Sequence, residues 1–296
     1  MSAIEVKDVH RVYRGGRRAL SGVTFSVEEG EVVGLLGTNG AGKTTLINIL
    51  MGMLRPQQGT VSVLGLDPER SPVELKRRVG FVSEDQVLPS AMTVASVIQF
   101  HRKLFPTWDD RFERELRGRF QFDEKSKVGT LSKGQARQLA LLCAVAHRPE
   151  LLVLDEPAGS LDPAMRRGFL ETSIQLLAES GTTILFSSHH MGDVERIAGR
   201  AVMIADGRVL VDADLDTLRE GYALLVTPAD NGVRGQLSGD PRCVHVRRHR
   251  NTVHAVFRGS ATDVAAVARE ELGLQDSSCR HVPLEELFVE LVGTDS

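Results

Sequence analysis

Apolar residues are arranged differently in successive stretches of this 296-residue chain. From about residue 1 to 27 they alternate with polar ones, which predicts an antiparallel β-subdomain. Val32–Leu36 and Leu151–Leu154 are apolar throughout, and Thr183–Phe186 is apolar after its first residue. Such runs predict central parallel strands covered on both faces. Residues 72–147 read as largely helical, with Thr93 as a cap and Pro106 and Gly129 as breaks, and Val79–Val82 as a strand within them. From Leu151 to Asp212, strand, helix, strand, helix and two paired strands predict a doubly wound core. The character changes after about residue 220. Tyr222–Thr227, Cys243–Arg247 and Thr252–Phe257 read as short strands, Thr262–Leu272 as an amphipathic helix, and the stretch from Pro283 to Val289 as a last helix.

The first apolar run opens onto Gly37-Thr38-Asn39-Gly40-Ala41-Gly42-Lys43-Thr44, a full match to the phosphate-binding pattern G-x-x-x-x-G-K-[ST]. Thr44 to Leu50 follows as a helix. Backbone N–H groups of such a loop wrap the β-phosphate, and the helix N-terminus adds partial positive charge. Lys43 is expected to reach the β- and γ-phosphates and the Thr44 hydroxyl to ligate Mg²⁺, with Thr45 continuing the cradle. With glycine near 7% of residues, chance produces this match in about one chain of this length in a hundred. The flanking strand and helix make it rarer still, and predict that the chain binds a nucleoside triphosphate.

Leu151–Leu154 ends in Asp155-Glu156, at the strand end where doubly wound sheets bind their ligands. Asp155 fits the acid that holds Mg²⁺ through water. Glu156 is placed to orient and polarise the attacking water.

Between these motifs lies Leu131-Ser132-Lys133-Gly134-Gln135, followed by an apolar helix for which Ser132 is the expected N-cap. This makes a second anion-binding helix start in one chain. Here the sequence resembles the ATP-binding cassette (ABC) ATPases, whose Leu-Ser-Gly-Gly-Gln signature it nearly reproduces. Lys133 replaces the first glycine of the pair, so that position cannot depend on a glycine-only conformation. The resemblance implies an α/β fold of the ABC P-loop NTPase type: a doubly wound, mainly parallel sheet, an N-terminal antiparallel β-subdomain, and a helical subdomain at about 84–147 that docks a permease. It covers residues 1 to about 220, leaving 221–296 as a small α+β accessory domain. It further implies that Ser160-Leu161-Asp162 is the D-loop, that His189 after Ser187-Ser188 touches the γ-phosphate, and that the Tyr13 ring stacks on adenine. One position departs from the pattern. Glu84 stands where the family has a glutamine near Mg²⁺, with Gln86 two residues late, and a carboxylate cannot donate a hydrogen bond as an amide does.

The tail Pro283-Leu284-Glu285-Glu286-Leu287-Phe288-Val289 resembles the Leu-Glu-x-x-Phe ending of ATPases serving ABC-2 type exporters of drugs, peptide antibiotics and lipids. The implied protein hydrolyses ATP with Mg²⁺ and works as a dimer with a second ATPase subunit, expected to be a homodimer, with a heterodimer as the alternative. Each ATP is held by Gly37–Thr45 of one chain and Ser132–Gln135 of the other. The rival function is a soluble ABC ATPase acting on nucleic acid or ribosomes. Those usually carry a coiled-coil insertion or two cassettes, whereas this chain has one cassette and no heptad run.

Composition then narrows the setting. A net charge of −3 gives no general case for nucleic acid as partner. Three cysteines without a C-x-x-C pair argue against a disulfide framework or a zinc site. No signal-peptide pattern and no apolar run of membrane-spanning length is evident, so the expected place is cytoplasmic, on the inner face of the membrane through a separately encoded permease. Trp108 is expected to pack in the core, the alternative being contact with a partner. The arginines at 242, 247, 248 and 250, with His245 and His249, are expected to form a solvated face, the alternative being a surface for anionic headgroups or RNA.

Overall fold

A computed structural model describes residues 1–85, 88–159, 161–171, 177, 181–230 and 232–292. Gln86 and the D-loop residue Ser160 lie outside them. The chain divides into two compact units, Met1–Val209 and Leu210–Ser296.

In the first unit, β1 (Ser2–Val12) pairs antiparallel with both β2 (Arg18–Glu28) and β4 (Gln58–Val63). Their alternation buries Ile4, Val6, Val9, Val23, Phe25 and Val27 in one cluster with the helix α1 (Lys43–Leu50). The principal sheet has six strands in the order β5-β6-β7-β3-β8-β9. These are β5 (Val79–Val82), β6 (Leu151–Leu154), β7 (Thr183–Ser188), β3 (Val32–Leu36), β8 (Arg200–Ala205) and β9 (Arg208–Asp214). The boundary between the units falls inside β9. All four residues of β6 are fully buried, as continuous apolar runs in a parallel sheet require. Each such side chain contributes about 1.5–3 kcal/mol on burial.

Register is what positions the chemistry. Leu36 of β3 lies beside Ser188 of β7, and Leu154 of β6 beside Phe186 of the same strand. The loops after Leu36, Leu154 and Ser188 therefore emerge side by side at the carboxyl ends of three adjacent parallel strands.

Between β5 and β6 run the helices Val94–Leu104, Asp110–Phe120 and Lys133–Val145. Thr93 caps the first by accepting from Ser96 N–H, and Asp109 caps the second. Trp108 is only half buried, contrary to the core placement expected for it. Its indole N–H donates to Glu113 at 3.2 Å, so the ring roofs a buried carboxylate that Arg102 and Arg117 also flank.

The second unit runs β-α-β-β-α-β after the short helix Leu215–Glu220. Its strands are β10 (Tyr222–Pro228), β11 (Cys243–His249), β12 (Thr252–Arg258) and β13 (Ser278–His281), all antiparallel in the order β11-β12-β10-β13. This is the split βαβ arrangement of ferredoxin-like modules. Helices Val233–Ser238 and Ala261–Glu270 share the core on one face with Ala223, Leu225, Val253, Ala255 and Phe257. The last helix, Leu284–Val292, sets Glu290 against Arg247 and His254, which occupy paired positions on β11 and β12. Arg242 pairs with Asp240 and Glu271. The expected solvated face is thus corrected at Arg247, onto which the last helix brings the acid Glu290; Arg242 is held by Asp240 and Glu271, and Arg248 and Arg250 are exposed.

Candidate active site

The loop from β3 to α1 is held in one shape by close contacts. Gly42 caps α1 with φ near 112°, and a Cβ there would stand 2.4 Å from the Ala19 carbonyl oxygen. Only glycine satisfies both conditions. Gly37 N–H donates to Ser188 O at 3.3 Å and Ala41 N–H to Thr38 O at 3.1 Å. Above this turn opens a cavity of about 580 Å³. Thr38, Asn39, Gly40, Gly42, Lys43, Thr44 and Thr45 line it from the loop and helix, and Tyr13, Glu84 and Glu156 from other segments. Gly37 and Ala41 shape the loop without lining the cavity. The Tyr13 hydroxyl lies 3.2 Å from Thr45 Oγ1 and the Arg11 guanidinium 5.6 Å from the ring centre, leaving the ring partly exposed.

Lys43 is buried, and its ammonium donates to Gly37 O at 2.6 Å and Thr38 O at 3.3 Å. It also lies 3.1 Å from Glu156 Oε1. That oxygen accepts no aligned hydrogen bond. The other oxygen, Oε2, is 2.9 Å from His189 Nδ1. A carboxylate can only accept, so Nδ1 carries the proton in this contact. Glu156 adopts a left-handed φ of 45°, an uncommon state for a residue with a side chain. Its backbone N–H is fixed by Ser187 Oγ at 2.8 Å.

The same Ser187 hydroxyl donates to Asp155 Oδ1 at 2.7 Å. Asp155 is almost fully buried, and this desolvation pushes its carboxyl above the usual range despite hydrogen bonds from Ser187 and Thr44. Glu84, on the cavity wall, is also raised, first by partial burial and then by the charges of Asp155 and Glu156. Asp155 and Glu84, two carboxylates whose charges act on one another, with the Thr44 hydroxyl bonded to Asp155, fit Mg²⁺. Among the described residues no group of three or more acids, histidines or cysteines forms a cage. Mg²⁺ does not need one, since it is commonly held by one or two carboxylates with water and substrate phosphates.

Ser132 caps Lys133–Val145 through a reciprocal capping box with Gln135, and Lys133 is the first helical residue. Helical φ and ψ suit lysine as well as glycine, which accounts for the substitution. Ser132, Lys133, Gly134 and Gln135 do not line the cavity of their own chain. Nor does Asp162, whose carboxylate caps the helix Pro163–Phe169 by accepting from Ala164 and Met165 N–H.

Arg137, one turn into the signature helix, has no role in the sequence motifs. It is buried, and its guanidinium donates to Ser83 O at 2.6 Å and to Glu84 O. It thereby fixes the backbone that carries Glu84. Its signal in the sequence is a lone cation entering the apolar run Leu139–Val145. Ser187 is the other omission, visible only as a hydroxyl at the end of an apolar strand.

A family model described as "ABC transporter" matches residues 20–159. The ABC transporter ATP-binding protein YtrB of Bacillus subtilis (strain 168) is 31% identical over 218 residues, which are 74% of each chain. The daunorubicin resistance ATP-binding protein DrrA2 of Streptomyces coeruleorubidus is 30% identical over 311 residues, covering 98% of this chain and 95% of that protein. A solved structure of the ATP-binding subunit of an ABC transporter matches with a TM-score of 0.66 at 30% identity, over 73% of this chain and 92% of that one. With a phosphate loop and Glu156 lining one cavity and His189 bonded to Glu156, this chain belongs to the ATP-binding, ATP-hydrolysing subunits of the ABC transporter family.

Proposed function

We propose that this chain is the motor subunit of an ABC-2 type exporter, coupled to a separately encoded membrane permease at the inner face of the cell membrane. The carrying observation is the likeness to DrrA2 across both units, since a cassette alone would match many kinds of transporter. Among the described residues no helix is long and apolar enough to cross a membrane, so a spanning partner is needed for transport. Residues from 221 onward act as an accessory module, for they carry none of the nucleotide motifs.

ATP occupies the cavity over Gly37–Thr45, with Tyr13 against the base. When Mg²⁺ is bound, Thr44 and Asp155 hold it with Glu84 nearby, and it neutralises charge on the phosphates. Lys43 exchanges its contacts with the carbonyls and Glu156 for the phosphates. Glu156 then accepts a proton from the water that attacks in line, while His189, already bonded to it, fixes the carboxylate and faces the terminal phosphate. Ser132–Gln135 and Asp162 lie away from this cavity, which supports a dimer in which each chain completes the other's site.

The test is purification of the tagged chain from membranes in mild detergent, with identification of what accompanies it. A multispanning protein that stimulates ATP hydrolysis is expected. Recovery with ribosomes or nucleic acid, and no membrane protein, would overturn the proposal.

A further inference from the structure

The loop joining β1 to β2 places two arginines on the rim of the nucleotide cavity. It is closed by Tyr13 N–H to Arg17 O at 2.9 Å and Gly16 N–H to Tyr13 O at 3.1 Å. Arg14 and Arg17 both line the cavity, alongside Thr38, Asn39 and Gly40. Arg17 lies against the turn of the phosphate loop, so that a Cβ on Gly40 would stand 3.1 Å from its Nη2.

Among the described residues neither guanidinium makes an ion pair or a hydrogen bond. Elsewhere arginines are bound: Arg78 to Glu150, Arg102 to Glu113, Arg247 to Glu290. The charge of the site gives these two a purpose. Glu84, Asp155 and Glu156 are acidic, and Lys43, which opposes them, is itself shared with Glu156. A polyphosphate entering this site meets net repulsion unless further cations help. A guanidinium offers five fixed donors that match phosphate oxygens and holds its charge at every working pH.

We propose that Arg17, with Arg14 beside it, is a second phosphate-binding element of this site. It grips the phosphate chain of the bound nucleotide and contributes to binding, not to activation of the attacking water. The proposal rests on the nucleotide occupying the cavity over Gly37–Thr45.

The experiment is equilibrium displacement of a fluorescent ATP analogue by ATP and by inorganic tripolyphosphate, which keeps the phosphates and lacks the base. Full-length wild type, Arg17→Gln, Arg17→Lys, Arg14→Gln and Lys43→Ala are compared. Arg17→Gln should weaken ATP and tripolyphosphate by the same factor, about tenfold for a charge-assisted contact. Arg17→Lys should recover part of the loss, Arg14→Gln should lose less, and kcat at saturating ATP should stay within about twofold. Unchanged affinities, or a loss for ATP with none for tripolyphosphate, overturn the proposal. If Lys43→Ala weakens ATP and Arg17→Gln does not, only the role of Arg17 falls. If neither matters, the nucleotide lies elsewhere and the cavity assignment falls with it.

Discussion

Two buried glutamates, one in each unit, each sit between a cation and a histidine. Glu290 accepts from Arg247 with both oxygens, at 2.6 and 2.7 Å, and from His254 at 3.1 Å. Glu156 has Lys43 at 3.1 Å and His189 at 2.9 Å, yet its Oε1 lacks an aligned donor and its backbone is left-handed. Burial works against the charge on Glu290, and the bonds from Arg247 and His254 outweigh it, holding the carboxyl below its usual range. Beside Glu156, Asp155 is driven the other way by its own burial. A closed ion cluster holds a helix on a sheet. An incompletely bonded one, opened onto a cavity, keeps an acceptor ready for a proton that arrives with substrate.

The largest effect is expected at Glu156. Glu156→Gln should lower ATP turnover by at least about a hundredfold, the scale of a lost general base, while ATP binding persists. Gel filtration with ATP should show a trapped dimer. A monomer with wild-type turnover would remove Glu156 from the chemistry.

At Glu290 the loss should appear in stability. Glu290→Ala removes the buried carboxylate that accepts from both Arg247 and His254, and should cost about 3 kcal/mol in the unfolding transition of the second unit. Denaturant titration followed by hydrogen exchange in β11 and β12 measures it. A transition unmoved by the substitution would show that the cluster holds nothing.

The sign of the pH dependence separates the two regions further. With its folded value held below the usual one near 4.5, Glu290 contributes stability that is present above about pH 4.5 and lost as pH falls through the folded value. The stability gap between wild type and Glu290→Gln should therefore narrow in acid. Asp155 is raised, so its contribution is greatest below its usual value near 3.8 and is lost as pH rises through the raised one. Asp155→Asn should accordingly stabilise the nucleotide-free protein by about 1 kcal/mol near neutral pH while abolishing Mg²⁺-dependent hydrolysis. A lower melting temperature for this variant would show that its charge is not a cost to the fold.

Smallest is the change at Glu84. Removing one of three crowded negative charges by Glu84→Gln should weaken the attraction for the cation and raise the Mg²⁺ needed for half-maximal hydrolysis by roughly twofold. Superimposable Mg²⁺ curves for wild type, Glu84→Gln and Glu84→Ala would place the side chain away from the metal.

Much of the first unit was legible because its signals are local. The phosphate loop, the Asp-Glu strand end and the N-cap at Ser132 each lie within a few residues, where backbone geometry follows from residue type. The second unit was less legible. Val233–Ser238 is a six-residue helix opened by Gly232 with no side-chain cap, and β13 reads Ser-Cys-Arg-His, which has no strand pattern. Pairing with β10 makes β13 a strand. Arg247 was misread for a related reason: a strand cannot announce the acid that a later helix lays on it.

The sequence by itself determined that this chain cradles a triphosphate, since loop shape, helix dipole and the Lys43 charge arise from adjacent residues. It also determined which side chains are available for hydrolysis. The tertiary structure decided how they meet: Glu156 between Lys43 and His189, Ser187 joining Asp155 to the Glu156 backbone, and Arg137 gripping the segment before Gln86. Those contacts depend on the register of β3, β6 and β7. Register is set by burying whole strands at once, which no short stretch of sequence encodes.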